Sequence, residues 1–287
     1  MGHKVELGGV EMQPDIGMLH DMNVGNVAEV QLLTGHSCYL KGDIMGYTIE
    51  FGGVERQPNI RMLHDMKEVV YDHEWFGSVD DMELYYMFRH LSLSEEDLKI
   101  INKSHLRYDI TVIPPAMFGS EFIKTAGHYH PNVPGQEISY PEVYQVLEGE
   151  ATYILQKHVG DDVVDTVVIK AKKGDIALIP PDYGHVTVNA SDEILKMANW
   201  VCCDFSSSYA PFRDMEGGAY YLLESGFMKN HHYENLPEIR YITPTDIPEF
   251  GLFCGRDMYD LVNDTEKLEF LKSPQNFAGV FESIINV

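Results

Sequence analysis

The stretch Gly127-His128-Tyr129-His130, read together with Glu142 and, further on, Gly184-His185, decides the fold. Two histidines at i and i+2 of an extended segment project from one face, so their imidazoles can grip a single cation. A carboxylate at Glu142 and a third imidazole at His185 complete a three-nitrogen, one-oxygen donor set suited to a borderline divalent metal. Such a set leaves up to two octahedral positions open, where metal chemistry on a substrate takes place. Two exposed strand histidines would be the plainer account of His128 and His130. The glycine before them and the matching Gly184-His185 favour metal ligation.

Outward from that stretch, residues 107–202 alternate short β-rich runs with turn residues. Tyr108–Ile113, Glu121–Thr125, Glu142–Leu147, Ala151–Gln156, Val163–Lys170, Ile176–Ile179, His185–Asn189 and Leu195–Val201 read as strands. Glu148-Gly149, Gly160-Asp161-Asp162 and Lys173-Gly174-Asp175 punctuate them. Many short strands at close spacing define an all-β sandwich or barrel, and no long helical pattern intervenes to build a doubly wound sheet. Helical signals flank this core. Asp80-Asp81 is positioned to cap a segment with Leu84, Met87, Phe88 and Leu91 on one face. Ser94-Glu95-Glu96-Asp97 opens a second helix with acids in its first turn. The tail from 231 is rich in loops and carries a helical pattern over Asp257 to Leu271.

The first 66 residues contain a repeat: Gly8 to Met22 recurs as Gly52 to Met66, 44 residues later. Two copies do not make a solenoid. Residues 1–44 are expected to be an accessory extension produced by partial duplication. The main domain is then 45–230, and 231–287 a C-terminal extension.

The chain has 287 residues, 21 Lys+Arg and 45 Asp+Glu, a net charge of −24. That excess of acid argues against nucleic acid or an anionic membrane as partner. No apolar run is long enough for a transmembrane helix, and the N-terminus lacks the pattern of a signal peptide. The four cysteines, two of them adjacent at 202 and 203, fit neither a disulfide framework nor a zinc knuckle. The expectation is a soluble protein with reduced thiols, cytoplasmic in location.

The order His-x-His, Glu, Gly, then Gly, Pro, Gly, His, Asn (His128, His130, Glu142, Gly149; Gly174, Pro180, Gly184, His185, Asn189) resembles the two motifs of the cupin superfamily. The loop between His130 and Glu142 is longer than usual there. Lys124 to His130, Glu142-Val143-Tyr144, Ile179-Pro180-Pro181 and Gly184-His185 look more narrowly like the cupin-type glucose-6-phosphate isomerases of archaea and some bacteria. Asp65-Met66-Lys67 and Thr111 to Pro114 match that family too, so the likeness covers roughly 50–230. It implies a cupin jelly-roll barrel with added N- and C-terminal helices and loops, and a homodimer.

It also implies one divalent metal per subunit, iron(II) first, with manganese, nickel, cobalt or zinc accepting the same ligands. His128, His130, Glu142 and His185 align with the metal ligands. Thr111, Thr125, Gly127, Tyr85, Tyr144 and Tyr209 align with residues near the sugar phosphate, while Val201 and Ser207 stand where some members carry Tyr and His. Tyr144, Thr111 and Thr125 also suit an ordinary barrel interior. Lys124 reads either as a phosphate contact or as a solvated edge residue. The reaction implied is aldose–ketose interconversion of glucose 6-phosphate and fructose 6-phosphate. Glu142 is then the proton shuttle, and a hydride shift between C1 and C2 is the alternative. Two rival functions share the same motifs. One is another metal-dependent cupin enzyme, either an isomerase of a different sugar or a dioxygenase. The other is a non-catalytic cupin that binds a sugar phosphate.

Overall fold

A computed structural model describes residues 27–31, 37–41 and 47–286. The first copy of the repeat lies outside them. The second copy folds as the turn at Gly52-Gly53, the strands Val54–Arg56 and Asn59–Met62, and a 3-10 turn over Leu63–Met66.

Two sheets form the core. One runs, in spatial order, Ile176–Ile179, Glu142–Glu148, Leu195–Cys202, Leu106–Ile113, Glu83–Phe88 and Asn59–Met62. The other runs Tyr183–Val188, Glu150–Val159, Asp162–Lys172 and Arg240–Ile242. The Arg240–Ile242 strand joins in parallel and the other pairings are antiparallel. This is a jelly roll of two facing open sheets rather than a barrel closed by continuous hydrogen bonding. Val27–Gln31 and Ser37–Lys41 pair in turn onto Thr48–Phe51, and the division expected at residue 44 lies outside the described residues.

Both faces of the six-stranded sheet are covered, which explains its near-continuous apolar sequence. Along Leu106–Ile113, Tyr108, Ile110 and Val112 point outward into a cluster with Trp200, Phe250, Tyr259, Leu268, Phe270 and Phe281. Arg107, Asp109 and Thr111 point the other way. The C-terminal extension therefore seals the outer face of the sheet whose inner face carries the polar residues. Trp200 fixes this contact, with its indole N–H donating to the Met258 carbonyl at 2.9 Å.

The helix expected to begin at Asp80-Asp81 is instead the strand Glu83–Phe88. Its sequence satisfies both periods: Leu84, Phe88 and Leu91 fit one helical face, while Tyr86 and Phe88 alternate with Tyr85 and Met87. Pairing with Leu106–Ile113 and Asn59–Met62 settles it. The second expected helix is present as Glu95–Lys103, with the Ser94 hydroxyl accepting from the Asp97 N–H. Over 257–271 the chain forms two 3-10 segments, Met258–Asn263 and Thr265–Leu271, broken at Asp264 where φ is −145°. Asn263-Asp264 favours turn over helix. The α-helix of the tail lies later, at Ala278–Ile285.

Candidate metal centre

His128 and His185 face each other as a backbone pair. The His128 N–H donates to the His185 carbonyl at 3.2 Å and the His185 N–H returns the bond at 3.1 Å. The alternation of an extended chain puts His128 and His130 on the inner side and turns Tyr129 outward, where its ring meets Phe212 at 5.4 Å. Gly127 enters this segment at φ +77°, and a Cβ there would lie 2.8 Å from both Phe212 and Val186. Only glycine fits that conformation and that space.

Glu142 Oε2 is the focus. It lies 3.4 Å from His130 Nε2, 3.4 Å from His185 Nε2 and 3.9 Å from His128 Nε2. His128 Nε2 and His130 Nε2 are 3.1 Å apart. Ligand atoms of His128, His130 and Glu142 all lie within 4.8 Å of one another. The surroundings hold these groups in place. Asn199 Nδ2 donates to Glu142 Oε1 at 2.7 Å, and His130 Nδ1 meets the Tyr140 carbonyl at 2.9 Å. Glu142 Oε2 itself is buried without a hydrogen-bond partner of good geometry. A buried, orphaned carboxylate oxygen ringed by imidazole nitrogens is the donor set a divalent cation satisfies. Outer partners such as Asn199 and the Tyr140 carbonyl are what orients such ligands.

The electrostatics agree. Burial pushes His128 and His185 below the ordinary imidazole range, which leaves their lone pairs available. Burial opposes ionisation of Glu142, but the adjacent imidazoles of His130 and His185 outweigh it and hold the carboxyl well below its usual value.

All four expected ligands and all six expected substrate-contacting residues line one cavity of about 290 Å³. Tyr144 is both core and site: it packs in the inner cluster, and its hydroxyl lies 3.2 Å from His185 Nε2. Thr125 is occupied locally, its hydroxyl accepting from the Thr187 N–H at 3.0 Å. The Tyr85 hydroxyl accepts from the Ala126 N–H at 3.4 Å. Tyr209 lies over His128, ring centroids 5.6 Å apart. Lys124 is neither a cavity residue nor a solvated edge residue. It is buried in an ion pair with Glu121 at 2.5 Å.

The sequence reading missed the arginines. Arg61, Arg89 and Arg107 line the cavity, as do Asp109 and Asn199. The guanidinium of Arg61 sits 5.9 Å from the ring centres of both Tyr85 and Tyr209. Period-2 alternation from Thr111 would have located Arg107 and Asp109 on its face. Arg61 needed knowledge that its strand joins the sheet.

A jelly roll whose inner face gathers His-x-His, a Glu and a later His defines a cupin-type protein. The family model described as Glucose-6-phosphate isomerase (GPI) matches residues 60–238, and the chain belongs to that family. Curated relatives carry the same description. Those of Thermococcus litoralis and Pyrococcus furiosus are each 34% identical over 88 residues, 31% of this chain and 42% of theirs. The aligned stretch thus spans less than half the length of these relatives. Among solved structures, a mutant oxalate decarboxylase of Bacillus subtilis is 17% identical with a TM-score of 0.32, over 44% of this chain and 27% of that one.

Proposed function

We propose that this protein is a metal-dependent glucose-6-phosphate isomerase, interconverting glucose 6-phosphate and fructose 6-phosphate. The observation that carries the reading is the convergence of His128, His130, His185 and Glu142 Oε2 at a cavity that also holds three arginines. In a chain of net charge −24, a dianionic substrate needs such local cations. Family membership supports the choice of substrate.

His128, His130, His185 and Glu142 would hold the ion, iron(II) first, with manganese, nickel, cobalt or zinc as alternatives. A bound divalent ion would polarise the substrate carbonyl and acidify the neighbouring hydroxyl. The chain's own groups do the rest. Arg61, Thr111, Thr125, Tyr85, Tyr209 and the Gly127 N–H offer donors for the phosphate. Tyr144 offers a hydroxyl beside His185. In the aldose-to-ketose direction the C2 hydrogen moves to C1 and the O2 proton to O1. Glu142 is the candidate to carry the hydrogen as a proton. Its depressed pKa makes it a weak base. A hydride shift needs no base at C2, only the two oxygens held side by side.

A homodimer acting in the cytoplasm belongs to the same proposal. Edge-strand pairing is the expected contact, and Tyr241 on the edge strand Arg240–Ile242 is 60% exposed.

The test is conversion of fructose 6-phosphate by metal-stripped protein, with and without added iron(II) or manganese, alongside His130→Ala. Turnover restored by metal and abolished by the substitution supports the proposal. Metal binding without turnover discards the substrate and leaves another sugar or a binding role.

A further inference from the structure

The three cavity arginines stand in different rows of the six-stranded sheet. Arg61 pairs in register with Tyr85. Arg89 follows four residues after Tyr85, about 13 Å further along an extended chain. Strand register then fixes its neighbours. Tyr144, Asn199 and Asp109 form one lateral row, and Glu142, Val201 and Arg107 form the next. Met87 pairs with Thr111 and Phe88 with Ile110, so Arg89 continues the row of Asp109 and Asn199. Arg61 therefore belongs to the level of Tyr85, and Arg89 to the row of Asp109, Asn199 and Tyr144, next to the row of Glu142, whose carboxylate Asn199 holds.

Local structure holds Arg89 in its row. The next residue, His90, adopts φ +56°, a left-handed conformation that costs a non-glycine residue roughly 1–2 kcal/mol. The buried Asp109 pins that turn, Oδ1 accepting from the His90 N–H at 2.9 Å. Its other oxygen takes the Arg107 Nε at 2.7 Å and faces an Arg89 nitrogen at 3.6 Å. The Arg89–Arg107–Asp109 group keeps one net positive charge. Beyond that approach, Arg89 donates to the Met87 sulfur at 3.2 Å, and most of its five N–H donors remain for a ligand.

We infer that Arg89 recognises negative charge at the C1–C2 end of an open-chain sugar phosphate, making the cavity a site with a cation at each end. The inference rests on the sugar-phosphate reading above. An uncharged aldose or ketose presents no anion there in its ground state. Negative charge develops on O1 and O2 only as the isomerisation proceeds, so Arg89 acts on the anionic species and not on substrate capture.

Calorimetric titration of the metal-loaded full chain with two probes tests this. One probe is a phosphorylated aldonate, 6-phosphogluconate, with a carboxylate at C1. The other is glucitol 6-phosphate, neutral at that end. Arg89→Gln is expected to weaken the aldonate about 10- to 100-fold and leave the alditol unchanged. Arg61→Gln should weaken both alike. Arg89→Lys, which keeps the charge, should recover part of the loss, with unfolding curves confirming that each variant folds. An unchanged aldonate affinity in Arg89→Gln, or equal weakening of both probes, overturns the inference. Failure of either probe to bind the wild type removes the sugar-phosphate reading itself, and the inference with it.

Discussion

Replacing Gly127 by alanine strikes the backbone that aims His128, and its cost can be worked from the structure. The residue sits at φ +77°, and an added Cβ would lie 2.8 Å from Phe212 Cδ1, 2.8 Å from Val186 Cγ2 and 2.9 Å from Phe212 Cε1. The left-handed conformation costs an L-residue about 1–2 kcal/mol. Crowding into a packed wall adds about 1–3 kcal/mol, because the Phe212 ring is itself wedged against Tyr129 and cannot retreat freely. The sum is about 2–5 kcal/mol, or a fall in Tm of about 4–20 °C for a domain of this size. Gly135 supplies the control: its φ is +76°, and a Cβ added there would meet nothing within 4 Å. Gly135→Ala should lose only the conformational part. Urea and thermal unfolding of both variants isolate the packing contribution as their difference. Equal losses would refute the claim that Phe212 and Val186 close the space beside the site.

Asn199→Leu removes the 2.7 Å bond to Glu142 Oε1, and manganese affinity measured by calorimetry should fall about 10- to 100-fold; no change would remove Asn199 from the site's support. Lys124→Met strands a buried Glu121 and should cost about 3–5 kcal/mol in urea unfolding, much of it recovered in the Glu121→Gln/Lys124→Met double variant. For Asp165, burial pushes the pKa up, but the hydrogen bonds from Arg240 and Tyr183 outweigh it and leave the folded value depressed. Its contribution, about 1 kcal/mol at this exposure, is therefore present above the unfolded carboxylate pKa of about 4 and lost as pH falls through the folded value. The stability gap between wild type and Arg240→Met should accordingly be constant above about pH 5 and narrow as the pH falls below about 4. Deleting 1–44 should leave metal affinity and any turnover intact, since Ile49 and Phe51 stay buried against Tyr108 and Tyr259; loss of both functions would show the extension to be integral.

What the sequence made legible was whatever depends on local spacing. His128-x-His130 needs only strand alternation to bring two imidazoles together, and the glycines at 127 and 184 announce close approach: a Cβ at Gly184 would lie 2.3 Å from the Tyr129 ring. The helix at Ser94 was legible because its cap and acidic first turn are local chemistry. The strand Glu83–Phe88 was not, because a strand buried on both faces loses the alternation that separates it from a helix. The same loss hides Arg89. A helical reading of its strand leaves no row for it to join, and so no place in the cavity.

That miss bears on how the site is built. The ligands His128, His130 and His185 come from segments whose own backbone bonds hold them together. Glu142, Asn199, Asp109 and Arg89, by contrast, lie on or just beyond four neighbouring strands and meet only through lateral register. A one-residue slip between any two of those strands would turn half of them outward into the aromatic cluster beneath the C-terminal segment. The packing of Trp200, Tyr108 and Tyr259 on that outer face fixes the register, T-shaped and stacked with centroids 4.9 to 6.0 Å apart. The C-terminal extension, on the opposite face of the sheet from the cavity, thereby sets which side chains reach it.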